Sequence, residues 1–203
     1  MNDLQKTVEA FNKKGFHATI VPDADAAKDA VLALIGENNT VGIGGSVTLA
    51  ETGIFDAVVE SGREVFSSVL AKRRGEDDSK ARRDAMNADV YLTSSNALTL
   101  EGDLINIDGI GNRAAAMFYG PERVIVVAGK NKLTKNPMTA VARIKKIACP
   151  QNARRLGLNT PCATGVCTEC NTPDRMCRVI VRIQYPTRGK QIHVILIDGD
   201  FGY

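Results

Sequence analysis

Residues 123–128 read Arg-Val-Ile-Val-Val-Ala, and this nearly unbroken apolar run decides the fold class. Such a run is typical of a central parallel strand that is buried on both faces. Other short apolar runs alternate along the chain with segments of helical periodicity. They predict further strands at residues 17–21, 40–45, 65–69, 90–93 and 104–107. The alternation predicts an α/β fold with an open, mostly parallel sheet and helices on both faces.

The predicted helices carry recognisable start and surface signals. Apolar residues recur at helical spacing over residues 3–14, which predicts the first helix. Asn136-Pro137 places a cap residue before a proline at the first helical position. The charged segment 73–88 predicts one further helix with a surface that faces solvent.

The composition is that of a globular protein, because 44% of the 203 residues are apolar and 24% are charged. A single domain over residues 1–203 is expected at this length. No window reaches the roughly 18 consecutive apolar residues of a membrane span, and no signal peptide is recognisable, so we expect a cytoplasmic protein without a membrane partner. A net charge of +3 with 5% aromatic residues argues against a nucleic-acid partner.

A glycine turn follows the predicted strand that starts at residue 40, and it reads Gly42-Ile-Gly44-Gly45-Ser46. Glycines at such a place let backbone N–H groups approach an anion, and loops of this kind surround the ligand crevice of open α/β sheets. The turn lacks the features of a Walker A loop and of the dinucleotide fingerprint, so a ligand loop and a plain tight turn are equally compatible with it. Glu51 either faces the same crevice or lies in solvent.

A second polar turn lies between Glu101 and Arg113. Arg113 offers a planar fork for a carboxylate or a phosphate, while Glu101 and Asp108 are candidate proton carriers. The other candidate ligand contacts are Asn106, Gly109, Gly111 and Asn112, with Lys130 after the central strand. In the alternative interpretation Asp108 and Asn112 serve only the backbone, as turn and cap residues. We expect the two glycine turns to meet at one edge of the sheet and to form a pocket for a small anionic metabolite.

These blocks together resemble the LUD (lactate utilization) domain family. The resemblance rests on residues 42–51, 101–113 and 120–132, and it covers most of the chain. It implies a fold similar to the one shared by glucosamine-6-phosphate deaminase, ribose-5-phosphate isomerase and CoA transferases, the NagB/RpiA/CoA transferase-like fold. It also implies a part in the oxidation of lactate to pyruvate, where related proteins form a complex with iron–sulfur subunits. No catalytic residues come with the resemblance.

All five cysteines lie between residues 149 and 177, in a segment that we predict to be a cysteine-rich loop. The spacing of Cys162, Cys167 and Cys170 matches the first three ligands of a plant-type iron–sulfur loop, with Cys177 or Cys149 as the fourth. A structural zinc site with four thiolates is the competing interpretation. Free or redox-active thiols are the third.

The last segment, residues 178–203, contains two predicted strands, at 179–185 and 191–197. Pro186-Thr-Arg-Gly189 between them predicts a C-terminal β-hairpin that completes the domain. The edges of such strands are compatible with a homodimer.

Two functional hypotheses follow. In the first, the protein binds a small anion or is a redox accessory protein of lactate utilization, carries an iron–sulfur cluster and works with an iron–sulfur or oxidoreductase partner subunit. In the second, it is a non-redox enzyme of isomerase or acyl/CoA-transfer type that acts on a small phosphorylated or carboxylated metabolite. Glu51, Glu101 or Asp108 would then be the base or nucleophile, and the cysteines would hold structural zinc or stay free. The hypotheses leave open whether this chain is itself an enzyme.

Overall fold

The computed structural model describes residues 2–203. The strands are β1 (His17–Val21), β2 (Val41–Ile43), β3 (Val65–Ser67), β4 (Val90–Thr93), β5 (Ala97–Thr99), β6 (Leu104–Asp108), β7 (Arg123–Gly129), β8 (Leu133–Thr134), β9 (Val179–Ile183) and β10 (Gln191–Ile197). The helices are α1 (Asp3–Lys13), α2 (Ala24–Ile35), α3 (Val47–Glu51), α4 (Ile54–Glu60), α5 (Ser68–Arg74), α6 (Asp78–Ala85), α7 (Asn112–Phe118), α8 (Pro137–Arg143), α9 (Cys149–Arg155) and α10 (Pro161–Thr164). A 3₁₀ turn, Lys130–Lys132, follows β7, and a π-helical stretch, Ile144–Ala148, joins α8 to α9.

Six strands form a parallel sheet in the order β1-β10-β7-β4-β2-β3. The apolar run at 124–128 lies in β7, between β10 and β4, and its five residues are fully buried. The predicted central parallel strand and α/β fold class are therefore confirmed. The remaining strands form a second, smaller sheet in the order β8-β5-β6-β9.

Helices cover both faces of the large sheet, as the alternation predicted. Val124 and Val126 of β7 pack in one hydrophobic cluster, together with apolar residues of α1 and α7. Ile125 and Val127 pack in a second cluster, with residues of α2, α4 and α5. Successive residues of β7 thus point to opposite faces, and each face is apolar because each is covered.

The chain changes direction between β2 and β4. From β2 it runs through α3 and α4 to β3 at one edge of the large sheet, whereas from β4 it runs through the small sheet and α7 to β7 on the other side. The carboxyl ends of β2 and β4 therefore flank a topological switch point, which is where open α/β sheets bind their ligands.

The C-terminal β-hairpin prediction is wrong. Strand β9 pairs antiparallel with β6 in the small sheet, whereas β10 lies parallel between β1 and β7 in the large one. The reason is burial: residues 194–197 of β10 are buried on both faces, which requires a central position in a covered sheet, whereas most of β9 is exposed. The turn at 186–189 therefore connects two sheets instead of closing a hairpin.

The charged segment at 73–88 contains two helices instead of the single predicted one. Helix α5 already begins at Ser68, where a strand was predicted, and it ends at Gly75, which has a left-handed φ of 71°. Asp77 then caps α6 by accepting hydrogen bonds from the backbone N–H groups of Ser79 and Lys80. This break gives the segment two helices, both of which contribute basic side chains to the cavity described below. Within residues 2–203, none of the helices combines the length and apolar character that a membrane crossing needs.

Lowering the pH is expected to destabilise the protein through His193. Its ring stacks on that of His17 on the neighbouring strand, with ring centroids 4.9 Å apart, and burial followed by the charges of His17 and Arg123 lowers the pKa of His193 to about 4. The unfolded chain, with an ordinary histidine pKa of about 6.5, binds the proton more readily than the folded protein. The contribution of His193 to the free energy of unfolding is therefore fully present above about pH 6.5 and is lost as the pH falls toward 4. Because the ring is only half-buried, we expect a loss of about 1–2 kcal/mol.

Urea unfolding at about pH 7 and about pH 4.5 measures this loss. The His193→Gln variant lacks the titrating ring and should lose correspondingly less stability between the two conditions. Equal losses in the two proteins would contradict the assignment.

Candidate functional site

A cavity of about 550 Å³ opens at the switch point. Its walls come from the loops after β2, β4 and β6, from the 3₁₀ turn after β7, from helices α5, α6 and α9 with the π-helical stretch before α9, and from Tyr203. A volume of this size suits a small metabolite. Among the described residues that line it, six are basic and one, Asp108, is acidic. The basic residues are Lys72, Arg73, Arg82, Arg113, Lys132 and Arg155.

Lys132 forms a compact cluster with two hydroxyl groups in this cavity. Its Nζ donates hydrogen bonds to Thr48 Oγ1 (2.6 Å) and Ser94 Oγ (3.0 Å). Thr48, Ser94 and Lys132 follow β2, β4 and β7, which are neighbours in the sheet, so parallel pairing brings their carboxyl ends together. Within residues 2–203, no carboxylate forms an ion pair with Lys132, whose exposed fraction is 3%.

The surroundings of Lys132 favour its neutral form. Burial, followed by the positive charges of Arg143 and Arg113, lowers the pKa of Lys132 to about 7, against a smaller opposing effect of Glu51. A substantial fraction of this amine is therefore unprotonated at neutral pH, unlike an ordinary lysine with a pKa of about 10.4.

Arg113 lines the cavity, but its guanidinium group is bound by the protein itself. Its nitrogens face five protein oxygens from the loop after β4 and from β6: Asn106 Oδ1 (2.6 Å), Asn96 Oδ1 (2.9 Å), the carbonyls of Ser94 (3.1 Å) and Ile107 (3.2 Å), and Asp108 Oδ2 (3.5 Å). The fork that the sequence suggested for a ligand thus joins the loop after β4 to β6. Asn106 is fully buried in this network and does not line the cavity.

Asp108 binds backbone groups at the second glycine turn. Its Oδ1 accepts from the N–H of Gly109 and its Oδ2 from that of Ala114, both at 3.0 Å. This geometry matches the alternative in which Asp108 serves the backbone, although the residue also lines the cavity, as do Gly109 and Asn112. Gly111 precedes α7 with a left-handed φ of 92° and is not part of the cavity lining.

The first glycine turn reaches the same cavity, so the two turns converge as expected. Gly45 and Ser46 line it, and Ser46 caps α3 through the N–H of Leu49. Gly44 packs beneath them, where a Cβ would lie 3.1 Å from Arg113 Cγ. Gly42 has a different role, because a Cβ there would lie 2.2 Å from the carbonyl oxygen of Ala85 in α6, so this glycine permits close packing of helix on strand.

Three further predicted site residues, Glu51, Glu101 and Lys130, also lie outside the cavity. Glu51 accepts a hydrogen bond from the backbone N–H of Gly202 at 2.6 Å. Glu101 lies in the turn between β5 and β6, which packs against α1. Lys130 forms an exposed ion pair with Asp198, at 2.8 Å. Glu101 and Lys130 therefore do not share a site with the glycine turns, whereas Glu51 acts indirectly by holding Gly202 beside Thr48 and Lys132.

The cysteines do not assemble as the spacing predicted. The predicted loop at 149–177 begins instead with α9 and also contains α10, because Pro150 and Pro161 occupy first-turn positions where proline favours a helix. The thiol pair is Cys149 with Cys177, 3.3 Å apart, and Cys149 lines the cavity.

The remaining cysteines have other surroundings. Cys162 is buried beside Thr160 Oγ1, and Cys167 and Cys170 are half-buried. In the described part of the chain, no three histidine, cysteine or acidic residues come together in a way that would hold a metal ion. In this arrangement Cys162, Cys167, Cys170 and Cys177 do not fit a four-thiolate iron–sulfur or zinc site.

Sequence reasoning missed the Lys132 cluster. It also missed the basic wall of the cavity, which consists of Lys72, Arg73 and Arg82 on α5 and α6. The available signal was positional, since Thr48, Ser94 and Lys132 each lie within a few residues of the carboxyl end of a parallel strand. Lys72, Arg73 and Arg82 gave no such signal, because a basic helix surface facing solvent has the same sequence pattern.

Comparisons with known proteins agree with this fold. The sequence profile of the LUD domain matches residues 4–197 of the chain. No curated protein matches the chain. The chain is similar to the crystal structure of a DUF162 family protein from Deinococcus radiodurans, with 16% sequence identity, 96% of each chain covered and a TM-score of 0.59. At that identity the similarity establishes the fold alone.

Proposed function

The chain belongs to the LUD domain family, which is associated with lactate utilization, and on that premise we propose that it binds a small carboxylated or phosphorylated metabolite in the switch-point cavity. The observation that carries the proposal is the excess of basic over acidic side chains in the cavity lining. Such an excess creates a positive potential that attracts small anions, and low-dielectric walls strengthen it.

The basic wall keeps free positive charge after its internal ion pairs are counted. Lys72 and Arg82 share a single carboxylate, that of Asp78, at 3.2 and 2.5 Å. Two cations on one carboxylate leave a net positive charge at this wall. Lys132 adds an N–H donor to the cavity in either protonation state, and the hydroxyl groups of Ser46, Thr48 and Ser94 add donors for anion oxygens.

Anion binding is better supported than acid–base or nucleophilic catalysis by the acidic residues, and better supported than iron–sulfur ligation by the cysteines. Glu51 and Glu101 lie away from the cavity, and both carboxylate oxygens of Asp108 accept backbone N–H groups, which disfavours these residues as base or nucleophile. An iron–sulfur cluster would need further thiolates beside the Cys149–Cys177 pair, and among the described residues no third histidine, cysteine or acidic residue completes such a group. Iron, sulfide and zinc analysis of protein purified without oxygen tests that alternative.

The anion proposal predicts the effect of removing the basic wall. The Lys72→Met/Arg82→Met variant should bind lactate, pyruvate or inorganic phosphate more weakly by about 1.5–3 kcal/mol, because charge-assisted hydrogen bonds are lost. That loss corresponds to a Kd increase of roughly ten- to a hundredfold, which isothermal titration calorimetry measures.

Lys80→Met is the matched control, since Lys80 lies on α6 but pairs with Asp84 away from the cavity. It should bind like the unmodified protein. Failure of all three anions to bind the unmodified protein, or equal binding by both variants, would refute the proposal.

A further inference from the structure

Lys132 is the least expected group in the cavity, because a lysine is rarely buried without a carboxylate. We propose that Lys132 is a nucleophile that forms an imine with the carbonyl carbon of a small anionic aldehyde or ketone. The inference rests on the proposed function, since the anion site must first bind such a molecule. It narrows the substrate class to oxo acids and their phosphorylated counterparts.

The backbone at Gly202 packs closely against the amine of Lys132. Gly202 lies directly on the cluster, with a φ of 63°, and a Cβ there would lie 3.1 Å from Lys132 Nζ and 2.3 Å from Thr48 Oγ1. Hydrogen bonds hold this segment down: Asn131 Nδ2 donates to the carbonyl of Gly202 at 2.8 Å, and the N–H of Gly202 donates to Glu51. The amine is thus screened from water on one side and lines the cavity on the other.

The charges around the amine suit a nucleophile better than an ion-pairing lysine. Arg113 and Arg143 are the nearby cations, and Glu51 is the acidic group that opposes them. A lysine that is desolvated beside other cations loses its proton more easily and becomes nucleophilic near neutral pH. A lysine with a purely structural role would instead be expected to pair with a carboxylate.

The two hydroxyl groups provide the proton transfers that imine formation needs. The lone pair of Nζ attacks the carbonyl carbon, and the carbonyl oxygen takes up a proton to give a carbinolamine. The nitrogen loses its two protons in turn, the hydroxyl group takes up a second proton and leaves as water, and a carbon–nitrogen double bond forms. One amine and one carbonyl thus give one imine and one water, with no oxidant or reductant. Thr48 Oγ1 and Ser94 Oγ, which are 3.4 Å apart, lie where they can pass these protons on.

Reductive trapping tests the inference on the full chain. The protein is incubated with pyruvate or with glyoxylate in the presence of cyanoborohydride at about pH 7.5, and the modified residue is identified by peptide mass spectrometry. An exposed lysine is less than ~1% neutral at this pH, so trapping at Lys132 should be roughly a hundredfold faster than at other lysines. Lys132→Met should abolish the selective adduct.

Lys130→Met is the matched control, because Lys130 lies on the same 3₁₀ turn outside the cavity and should leave trapping unchanged. The peptide map of the unmodified protein decides the matter even where Lys132→Met fails to fold. Calorimetry with lactate, which has no reactive carbonyl, tests the anion site separately.

The outcomes separate the two proposals. Adducts at Lys132 that inorganic phosphate suppresses by competition support both. Binding of lactate and pyruvate without an adduct at Lys132, or with adducts spread over surface lysines, overturns the imine and leaves anion binding standing. Exchange of the methyl protons of pyruvate that needs Lys132 but gives no adduct would make Lys132 a general base and would also overturn the imine. Absence of any binding or adduct rejects both proposals.

Discussion

Arg113→Met is expected to lower the free energy of unfolding by about 3–5 kcal/mol, the cost of removing one partner from a buried, hydrogen-bonded charge. The side chain of Arg113 is 12% exposed and that of Asp108 is 15% exposed. Loss of the guanidinium group leaves Asp108 without its cation. It also leaves the buried Asn106 without the donor at 2.6 Å. The measurement is urea unfolding, followed by circular dichroism.

A second variant distinguishes this positioning role from direct ligand binding. Arg113→Lys keeps the charge but has no planar fork, so it cannot reach the separate oxygens of Asn96 and Asn106 at once. We therefore expect most of the stability loss to persist in Arg113→Lys. A variant with unaltered stability but weakened anion binding would show instead that Arg113 acts on the ligand.

Gly42→Ala is expected to cost about 3 kcal/mol or more, at the upper end for overpacking, because the obstacle is backbone and not a movable side chain. The added Cβ would lie 2.2 Å from the carbonyl oxygen and 2.9 Å from the Cα of Ala85. Helix α6 would have to move away from β2, and the wall that carries Arg82 would move with it. Thermal unfolding measures the loss.

Gly45→Ala is the control, since a Cβ at Gly45 meets nothing within 4 Å and its φ is not left-handed. We expect it to keep the stability of the unmodified protein. If Gly42→Ala were equally stable, the close packing of α6 on β2 would not be the reason for a glycine at that position.

The two glycines show how far sequence reasoning reaches. The turn after β2 was predicted as a unit with one role, either ligand loop or tight turn. In the structure its members divide: Gly42 packs against a helix, Gly44 lies against Arg113, and Gly45 lines the cavity. A glycine in the sequence indicates that a side chain is excluded at that position. The sequence does not indicate which neighbouring group excludes it.

The cysteines and the last two strands show a different limit. The spacing of Cys162, Cys167 and Cys170 suggested a shared ligand set, yet the closest thiols are Cys149 and Cys177, 28 residues apart. Likewise the short turn after β9 suggested a hairpin, yet β10 lies in the other sheet. Local spacing favours local pairing, whereas the position of β10 was selected by burial on both faces of the large sheet.

The amino-acid sequence by itself determined the α/β class, the buried central strand and the family, because alternating apolar periods and burial on both faces of β7 are properties of neighbouring residues. Only the tertiary structure decided that Lys132, 84 positions from Thr48, donates to its hydroxyl in the cavity. The physical reason is that the hydrogen bonds of Lys132, its desolvation and the charges that lower its pKa all depend on distances in space. Parallel strand pairing sets those distances between segments that are remote in the chain.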